Sequence, residues 1–514
     1  MQQPHAAPGT PLRTGSAVSP PAAAAPPDRP ARAFSSLALL ATAALLCLAA
    51  ILNGQPFLYP DTTVYVNRAE TGIGKVLGAD RIKPWMVQPS AAAGPAASAA
   101  GAPAENDRNV SLAGRSVYYG ALLYGAHAAG SLWLAVAAQA LCVAGMLYLL
   151  IVRLWGFGRR HLLAAGAILT LLTPLATFTG LLMPDLFAGL TVLCSGVLFS
   201  YWNRLRRWER IGVAALLLFS IAAHTSHLAL AASMLIFVLG CRLLRLGPRA
   251  PWPALVLMGA CVLGGVAAEW GFNQAMKLAS GAPPVRLPHT MAHLVWMGPG
   301  TAYLRQNCPQ AGYVACDYVA NLPTHWDDFL FSDEPSKGAF WLADAQGKRR
   351  MAEEQTAFVL DVLRFDPVGV ARGMGADVLE QLASFRVDVG HLGPGDLQNL
   401  FAGRLPADVL ADLSRSRAAR GDHFDDWLTG ATYAVVAGSL VLLAWRRRRS
   451  PAPSRPPGFS AFALVVVMGV LANAVICAVF AAPLDRFQSR VIWLVPLLGA
   501  AVLLQLATSR KADR

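Results

Sequence analysis

Long apolar runs recur along this chain, most of them long enough to cross the hydrocarbon core of a bilayer, which is roughly 30 Å thick. The 514 residues are 55% hydrophobic and only 14% charged, whereas a soluble protein of this length carries about 25% charged residues. Helices in lipid are apolar on all sides, so run length and flanking charge locate them better than periodicity. The sequence therefore predicts an all-α polytopic membrane protein.

About ten transmembrane helices are expected from these runs. The fifth and sixth runs are short and nearly contiguous, which leaves open two short helices or a broken hairpin. The expected spans are 34–52, 131–152, 161–180, 184–202, 211–223, 225–240, 252–270, 428–445, 460–482 and 490–507. No convincing cleavage site follows the first run, so it is expected to remain as a transmembrane helix rather than to act as a signal peptide.

The arginine-rich connections between these runs predict the topology. If the N-terminus is cytoplasmic, the inside segments hold 21 of the 43 Lys and Arg residues and only three acidic residues. Lys and Arg concentrate in the cytoplasmic loops of membrane proteins. The expected protein is N-in/C-in and multi-pass, in a bacterial cytoplasmic (inner) membrane. Its net charge of +13 is then a topology signal and gives no evidence for nucleic acid binding.

The expected organisation follows from this topology. Residues 1–33 are rich in Pro, Ala and Ser and are predicted to form a disordered cytoplasmic tail. The remaining segments are an N-terminal transmembrane bundle (34–270) with an outer loop (53–116), a mainly helical extracytoplasmic domain (271–427), C-terminal transmembrane helices (428–508) and a cytoplasmic tail (509–514). The outer loop contains a low-complexity insert, "PSAAAGPAASAAGAPAE", and ends in a short helix, "GRSVYYGALLYGAHAAG".

Two of the eight cysteines fall in the expected outer domain, whereas the other six lie in or at the ends of apolar runs. Cys308 and Cys316 stand eight residues apart in "NCPQAGYVACDY". An oxidising compartment would permit a short disulfide between them. Free or metal-binding thiols remain the alternative, although no His or Cys stands nearby at the spacing of a zinc site.

Ionisable residues at the outer ends of the spans are the main functional candidates, because such residues are costly near lipid. All of them fall on the same expected face of the membrane: Asp61, Asp185, His224, His227, Glu269, Asp485, Arg486 and Arg490. Carboxylates, imidazoles and guanidiniums on one face suit an acid/base site that handles a phosphate.

The two carboxylates, Asp61 and Asp185, each begin an expected helix, in "YPDTTVY" and "MPDLF". An Asp at a helix start commonly caps the free backbone N–H groups, so a structural role stands beside the catalytic one. Tyr65 and Arg68 share the helical face of Asp61, which makes them candidate substrate-binding residues.

The remaining candidates have alternatives as well. His224 and His227 are three residues apart on one face, where they line a polar site, bond to other helices or bind a metal. Arg486 and Arg490 are four residues apart, which lets both guanidiniums hold one phosphate. The alternative for them is snorkelling to lipid headgroups.

The chain resembles the GT-C superfamily of integral-membrane glycosyltransferases in its transmembrane core. The resemblance rests on an N-in first helix, the acidic residue of "YPD" early in the first outer loop, the acidic residue of "MPD" before the fourth span, and a late soluble domain. Some branches of that superfamily carry paired acids in the first loop, whereas here Thr62 and Thr63 follow Asp61. Residues 271–427 resemble no family known to us.

The resemblance implies a function. Asp61 would be the catalytic base or a metal-associated carboxylate, Asp185 its acidic partner, and Arg486 and Arg490 the residues that hold the lipid-linked phosphate. The implied partners are membrane lipid, a polyprenyl-phosphate-linked sugar, and a glycan, lipid or protein acceptor, with a divalent metal ion as a candidate cofactor. The chain has no phosphate-binding glycine loop, serine-hydrolase motif or zinc-protease motif. An O-antigen polymerase or ligase, a lipid or solute transporter, and a non-catalytic subunit remain alternatives.

Overall fold

Helices dominate the structure, a computed structural model that describes residues 29–86, 110, 112–246, 249–388, 391–392, 395–449 and 458–512. These residues form 21 α-helices joined by short loops and helical turns, and they contain no strand. Most of the expected disordered tail and most of the low-complexity insert lie outside the described residues. Helix α1 begins at Arg29, so the last five residues expected in the tail are helical instead.

The first eleven helices precede the expected outer domain. Their bounds are α1 Arg29–Leu46, α2 Leu48–Asn53, α3 Pro60–Leu77, α4 Val117–Ala128, α5 Trp133–Leu147, α6 Arg159–Leu172, α7 Leu175–Gly180, α8 Leu186–Tyr201, α9 Arg207–Ala223, α10 Thr225–Leu243 and α11 Trp252–Ser280. A π-helical segment, Tyr148–Leu154, continues α5.

The other ten helices begin after a left-handed glycine, Gly281, ends α11. Their bounds are α12 His289–Met297, α13 Pro299–Asn307, α14 Trp326–Phe331, α15 Ala345–Phe365, α16 Pro367–Ala383, α17 Ala407–Ser414, α18 Asp426–Arg449, α19 Phe459–Phe480, α20 Asp485–Ile492 and α21 Leu494–Ala512.

Seven helical spans in the described part of the chain are long and apolar enough to cross a membrane. They are Trp133–Leu154, Leu186–Arg204, Thr225–Leu243, Trp252–Leu278, Asp426–Arg448, Phe459–Phe480 and Asp485–Thr508. This number, together with the absence of strands among these residues, indicates an all-helical membrane protein.

Three of the ten expected spans do not reach that length as single helices. The first run is interrupted at Cys47, between α1 and α2, and the third breaks at Thr173 and Pro174, between α6 and α7. Proline removes a backbone donor and crowds the preceding turn, which explains the second break. The fifth run forms α9, whose first turn carries charged residues. His224 alone, in an extended conformation, separates α9 from α10, and the two helices pack together.

The buried apolar residues form two cores. The larger core lies within the helical bundle, and the smaller one collects residues 285–370 with Val110 from the first loop. The expected outer domain, 271–427, is therefore not one unit. Side chains between Phe385 and Ala418 pack into the larger core with the bundle, because they fill the space beside α1, α2 and the start of α18 rather than facing α12–α16.

Cys308 and Cys316 form the expected disulfide in the smaller core unit, with their Cα atoms 5.5 Å apart. Closing a loop this short limits the unfolded chain by about 2–3 kcal/mol. We expect Cys308→Ser with Cys316→Ser to lower the free energy of unfolding of this unit by that amount. Cys241→Ser, which removes a free thiol elsewhere, is the matched control. Equal thermal unfolding of both variants, measured with the wild-type protein, would contradict the expectation.

Candidate functional site

The first loop is attached to the segment that precedes Asp185, and this attachment brings the two acidic motifs together. The Phe57 N–H donates to the carbonyl of Gly180, and the Leu182 N–H donates to the carbonyl of Phe57. The Thr62 hydroxyl, in the first turn of α3, donates to the Leu182 carbonyl at 3.0 Å. The starts of α3 and α8 therefore lie side by side, although 120 residues separate Thr62 from Leu182.

Asp185 is buried and faces two arginines from α20. Its carboxylate lies 3.3 Å from the Arg490 guanidinium and 3.7 Å from that of Arg486, and its side chain is only 4% exposed. It accepts no capping hydrogen bond from α8, so the cap role is not the one it has here. The two arginines do converge, as their spacing indicates, but the anion that they share is Asp185.

Arg490 is the centre of a buried polar network. Its guanidinium donates to the Asn473 side-chain oxygen at 3.1 Å and lies 3.3 Å from the Cys477 sulfur and 3.5 Å from the Ser226 hydroxyl. These partners come from α10 and α19, so the network joins three elements of the bundle. Arg490 is 4% exposed, and its contacts fix the helices rather than offer its whole guanidinium to a ligand.

Arg486 is less constrained. Its guanidinium lies 4.3 Å from the centre of the Tyr59 ring, a cation–π distance. Its Nη1 atom is buried without a hydrogen-bond partner among the described residues. Both Asp185 and Asp61 lie close enough to interact with it electrostatically. Arg486 therefore links the two carboxylates and retains a donor for an anionic ligand.

Asp61 lies in the first turn of α3 and forms an ion pair with Arg115, at 2.7 Å between Oδ1 and Nη2. The Asp61 side chain is 27% exposed, which makes it the accessible carboxylate of the two. Arg115 directly precedes Ser116, the N-cap residue of α4. Packing of α4 against α3 is close because a Cβ at Gly120 would lie 2.1 Å from the carbonyl oxygen of Tyr65.

Two residues predicted to bind substrate have structural contacts instead. Arg68 donates to the backbone carbonyls of Arg115 and Leu112, so it fixes the segment before α4. Burial lowers the pKa of Arg68 to about 10, with Arg115 as the second cause. Tyr65 is 1% exposed and packs edge-on against Tyr119, with ring centres 5.4 Å apart. Helical periodicity gives the face of α3 correctly, but α4 covers that face.

The two histidines at the α9–α10 junction differ. His227 is fully buried, and its Nδ1 lies 2.8 Å from the Ser220 carbonyl oxygen, so it joins the two helices. His224 is partly exposed and lines a recess between α4, α9, α10 and α11. Glu269 lines the same recess and pairs with Arg286 at 2.8 Å. Of the two histidines, His224 is the one open to a ligand.

Sequence reasoning missed three neighbours of this site. Arg115 stands in "GRSVYYG", where only its position before an N-cap serine distinguishes it. Asn473 is the one amide in a long apolar run, and a buried polar residue in such a run is itself a signal. His289, which begins α12, lies near the Asp61–Arg115 pair. Burial, followed by Arg115, lowers its pKa to about 4.

A divalent cation does not fit this donor set. Asp61 and Asp185 both have arginine partners, and three guanidiniums for two carboxylates leave the cluster with a positive charge. No group of three or more His, Cys, Asp and Glu side chains suited to a metal ion occurs in the described part of the chain. A bound metal would have to displace arginines from both carboxylates, so we derive no step through a metal.

Comparison of the chain with protein-family models, with curated proteins and with solved structures finds no match.

Proposed function

We propose that this protein is a membrane glycosyltransferase of the GT-C type, which moves a sugar from a polyprenyl-phosphate donor to an acceptor at the outer face of a bacterial cytoplasmic membrane. The observation that carries the proposal is the convergence of Asp61, Asp185 and Arg486 at one end of the bundle. Two acidic motifs that are far apart in sequence meet there around arginines, beside helices suited to a membrane.

The proposed orientation supports a lipid-linked donor. The helices α8, α10 and α20 begin near this cluster, and arginine-rich connections follow the far ends of α8 and α10. With those connections in the cytoplasm, the cluster lies at the outer headgroup plane, where the phosphate of a lipid donor is found. Counting α1–α2, α6–α7 and α9 as further spans gives the ten of the proposed topology.

The proposed reaction uses the more exposed carboxylate as a base. The acceptor hydroxyl oxygen attacks the anomeric carbon of the sugar while the bond from that carbon to the phosphate oxygen breaks. Asp61 takes the hydroxyl proton, and polyprenyl phosphate leaves with the electron pair of the broken bond. Arginines near the leaving phosphate stabilise its negative charge. Asp185 holds Arg486 in position for this role, so it is a positioning residue.

The test is transfer by the full chain in proteoliposomes. We expect label to pass from one member of a panel of polyprenyl-phosphate sugars to an acceptor glycan, lipid or protein, and to do so in the presence of EDTA because both carboxylates already have cationic partners. Arg350→Gln, which alters an exposed ion pair distant in sequence from the cluster, is the variant control. Movement of intact donor across the bilayer without transfer would instead favour a transporter. Loss of transfer in EDTA would contradict the arginine-only site.

A further inference from the structure

The recess beside His224 is the strongest feature that the proposed reaction leaves without a role. It encloses about 450 Å³ counted with its open mouth, and its lining includes Arg115, Ser116, Val117, His224 and Thr225. The Ser116 hydroxyl donates to the carbonyl of Ala222 at 2.6 Å. This bond joins the start of α4 to the end of α9 and shapes the recess.

Several hydrogen-bond donors meet in this recess. Arg115 contributes a guanidinium, and α4 and α10 both begin there. The first N–H groups of a helix lack partners within it and favour a negative ligand. The negative charge of Glu269, on the α11 side, is compensated by Arg286. The recess is therefore a favourable place for an anion.

His224 adds a neutral donor. The backbone N–H of Ser226 donates to His224 Nδ1 at 3.2 Å, so in the neutral ring the proton is on Nε2. Burial, followed by Arg490, lowers the pKa of His224 to about 4. The imidazole is therefore uncharged at neutral pH, and its Nε2–H can donate to an anion but cannot accept a proton from an acceptor hydroxyl.

A lipid can reach this recess from the side. Helix α11 contributes Gly265, Ala268 and Phe272 to the lining, and most of its span is not covered by the rest of the protein. Large apolar side chains on it, such as Val266 and Trp270, are exposed. An isoprenoid chain can lie along this surface with its phosphate in the recess.

We propose that the recess binds the phosphate of the polyprenyl donor through Arg115 and His224. This inference deepens the proposed function and rests on it for the identity of the donor. Arg115 is then shared between two anions, because it also pairs with Asp61 at 2.7 Å. When the phosphate binds, it draws the guanidinium away from Asp61 and leaves that carboxylate free to accept the hydroxyl proton.

Binding of a lipid phosphate tests this assignment without requiring transfer. The purified full chain in detergent is titrated with farnesyl phosphate, with farnesol as the phosphate-free control. Arg115→Gln is expected to weaken binding by about tenfold or more, since it removes a charge-assisted hydrogen bond. Arg115→Lys, which keeps the charge, is expected to lose less. Arg350→Gln is expected to bind as the wild type does.

Two substitutions at His224 separate its donor from its helix cap. His224→Asn places an amide oxygen near the position of Nδ1 and removes the Nε2 donor, so binding is expected to weaken by about three- to tenfold. His224→Gln places an amide NH₂ near the position of Nε2 and is expected to bind more tightly than His224→Asn. Equal affinity of these two variants and the wild type would overturn the role of His224.

Asp61→Asn gives the opposite sign. It releases Arg115 from its ion pair, so farnesyl phosphate is expected to bind more tightly to this variant than to the wild type. Unchanged or weaker binding would overturn the sharing of Arg115. Competition by phosphatidylglycerol at equal concentration would assign the recess to bulk lipid headgroups and overturn the donor assignment. If farnesyl phosphate binds as expected but no sugar is transferred, the recess stands and the glycosyltransferase proposal fails.

Discussion

Replacing Asp61 with Asn is expected to reduce sugar transfer by about 100-fold or more, because the variant loses the general base of the reaction. Asparagine has nearly the same shape and retains an oxygen that accepts a hydrogen bond from Arg115. The backbone of α3 is also capped independently, by the Thr62 hydroxyl that accepts from the Tyr59 N–H at 3.0 Å. Folding is therefore expected to be preserved, and the loss should appear in kcat measured at saturating donor and acceptor.

Asp80→Asn is the matched control for this experiment. Asp80 lies in the short helical turn after α3 and is exposed, so the same chemical change there removes a charge from the first loop but not from the cluster. Its rate of transfer and its thermal unfolding are expected to equal those of the wild type. Full activity of Asp61→Asn would show that Asp61 serves structure alone and would remove the base from the proposed reaction.

Replacing Asp185 with Asn is expected to destabilise the protein by about 3–5 kcal/mol, the usual cost of leaving a buried charge without its partner. The buried carboxylate faces both Arg486 and Arg490, and Arg490 is as buried as Asp185 itself. Without it, two guanidiniums remain in a low-dielectric environment with no carboxylate. The midpoint of thermal unfolding in detergent measures the effect.

A second variant separates charge from packing at this position. Asp185→Asn combined with Arg490→Gln removes one of the uncompensated charges, so it is expected to be more stable than Asp185→Asn alone. Such non-additivity is the signature of a direct interaction between two residues. If the double variant loses the sum of the two single losses, the ion pair contributes no coupling and the network around Arg490 is held by other contacts.

Much of the architecture could be predicted from local sequence. Long apolar runs and arginine-rich connections predict an all-helical membrane protein, because the bilayer imposes a length and a composition on each span. The structure contains seven helices of that kind among the described residues. The disulfide of Cys308 and Cys316 was predictable for a similar reason, since two cysteines so close in sequence need little more than a permissive compartment.

The candidate site was predictable only in part. Asp61, Asp185, Arg486 and Arg490 could be selected because ionisable residues at the ends of apolar runs are costly and rare. Which of them pair could not be inferred, because an ion pair depends on side chains that approach from different helices. Tyr65 illustrates the limit, since periodicity places it beside Asp61 but gives no indication that α4 covers it.

The sequence by itself determined the class of protein, the approximate helix positions and the set of costly polar residues, because each of these depends on short stretches of chain in contact with lipid. Only the tertiary structure decided that Asp185 is held by Arg486 and Arg490, that Asp61 pairs with Arg115, and that His224 rather than His227 lines an open recess. These choices depend on contacts between residues that are distant in the chain. Such contacts follow from how the helices pack, and no local pattern encodes them.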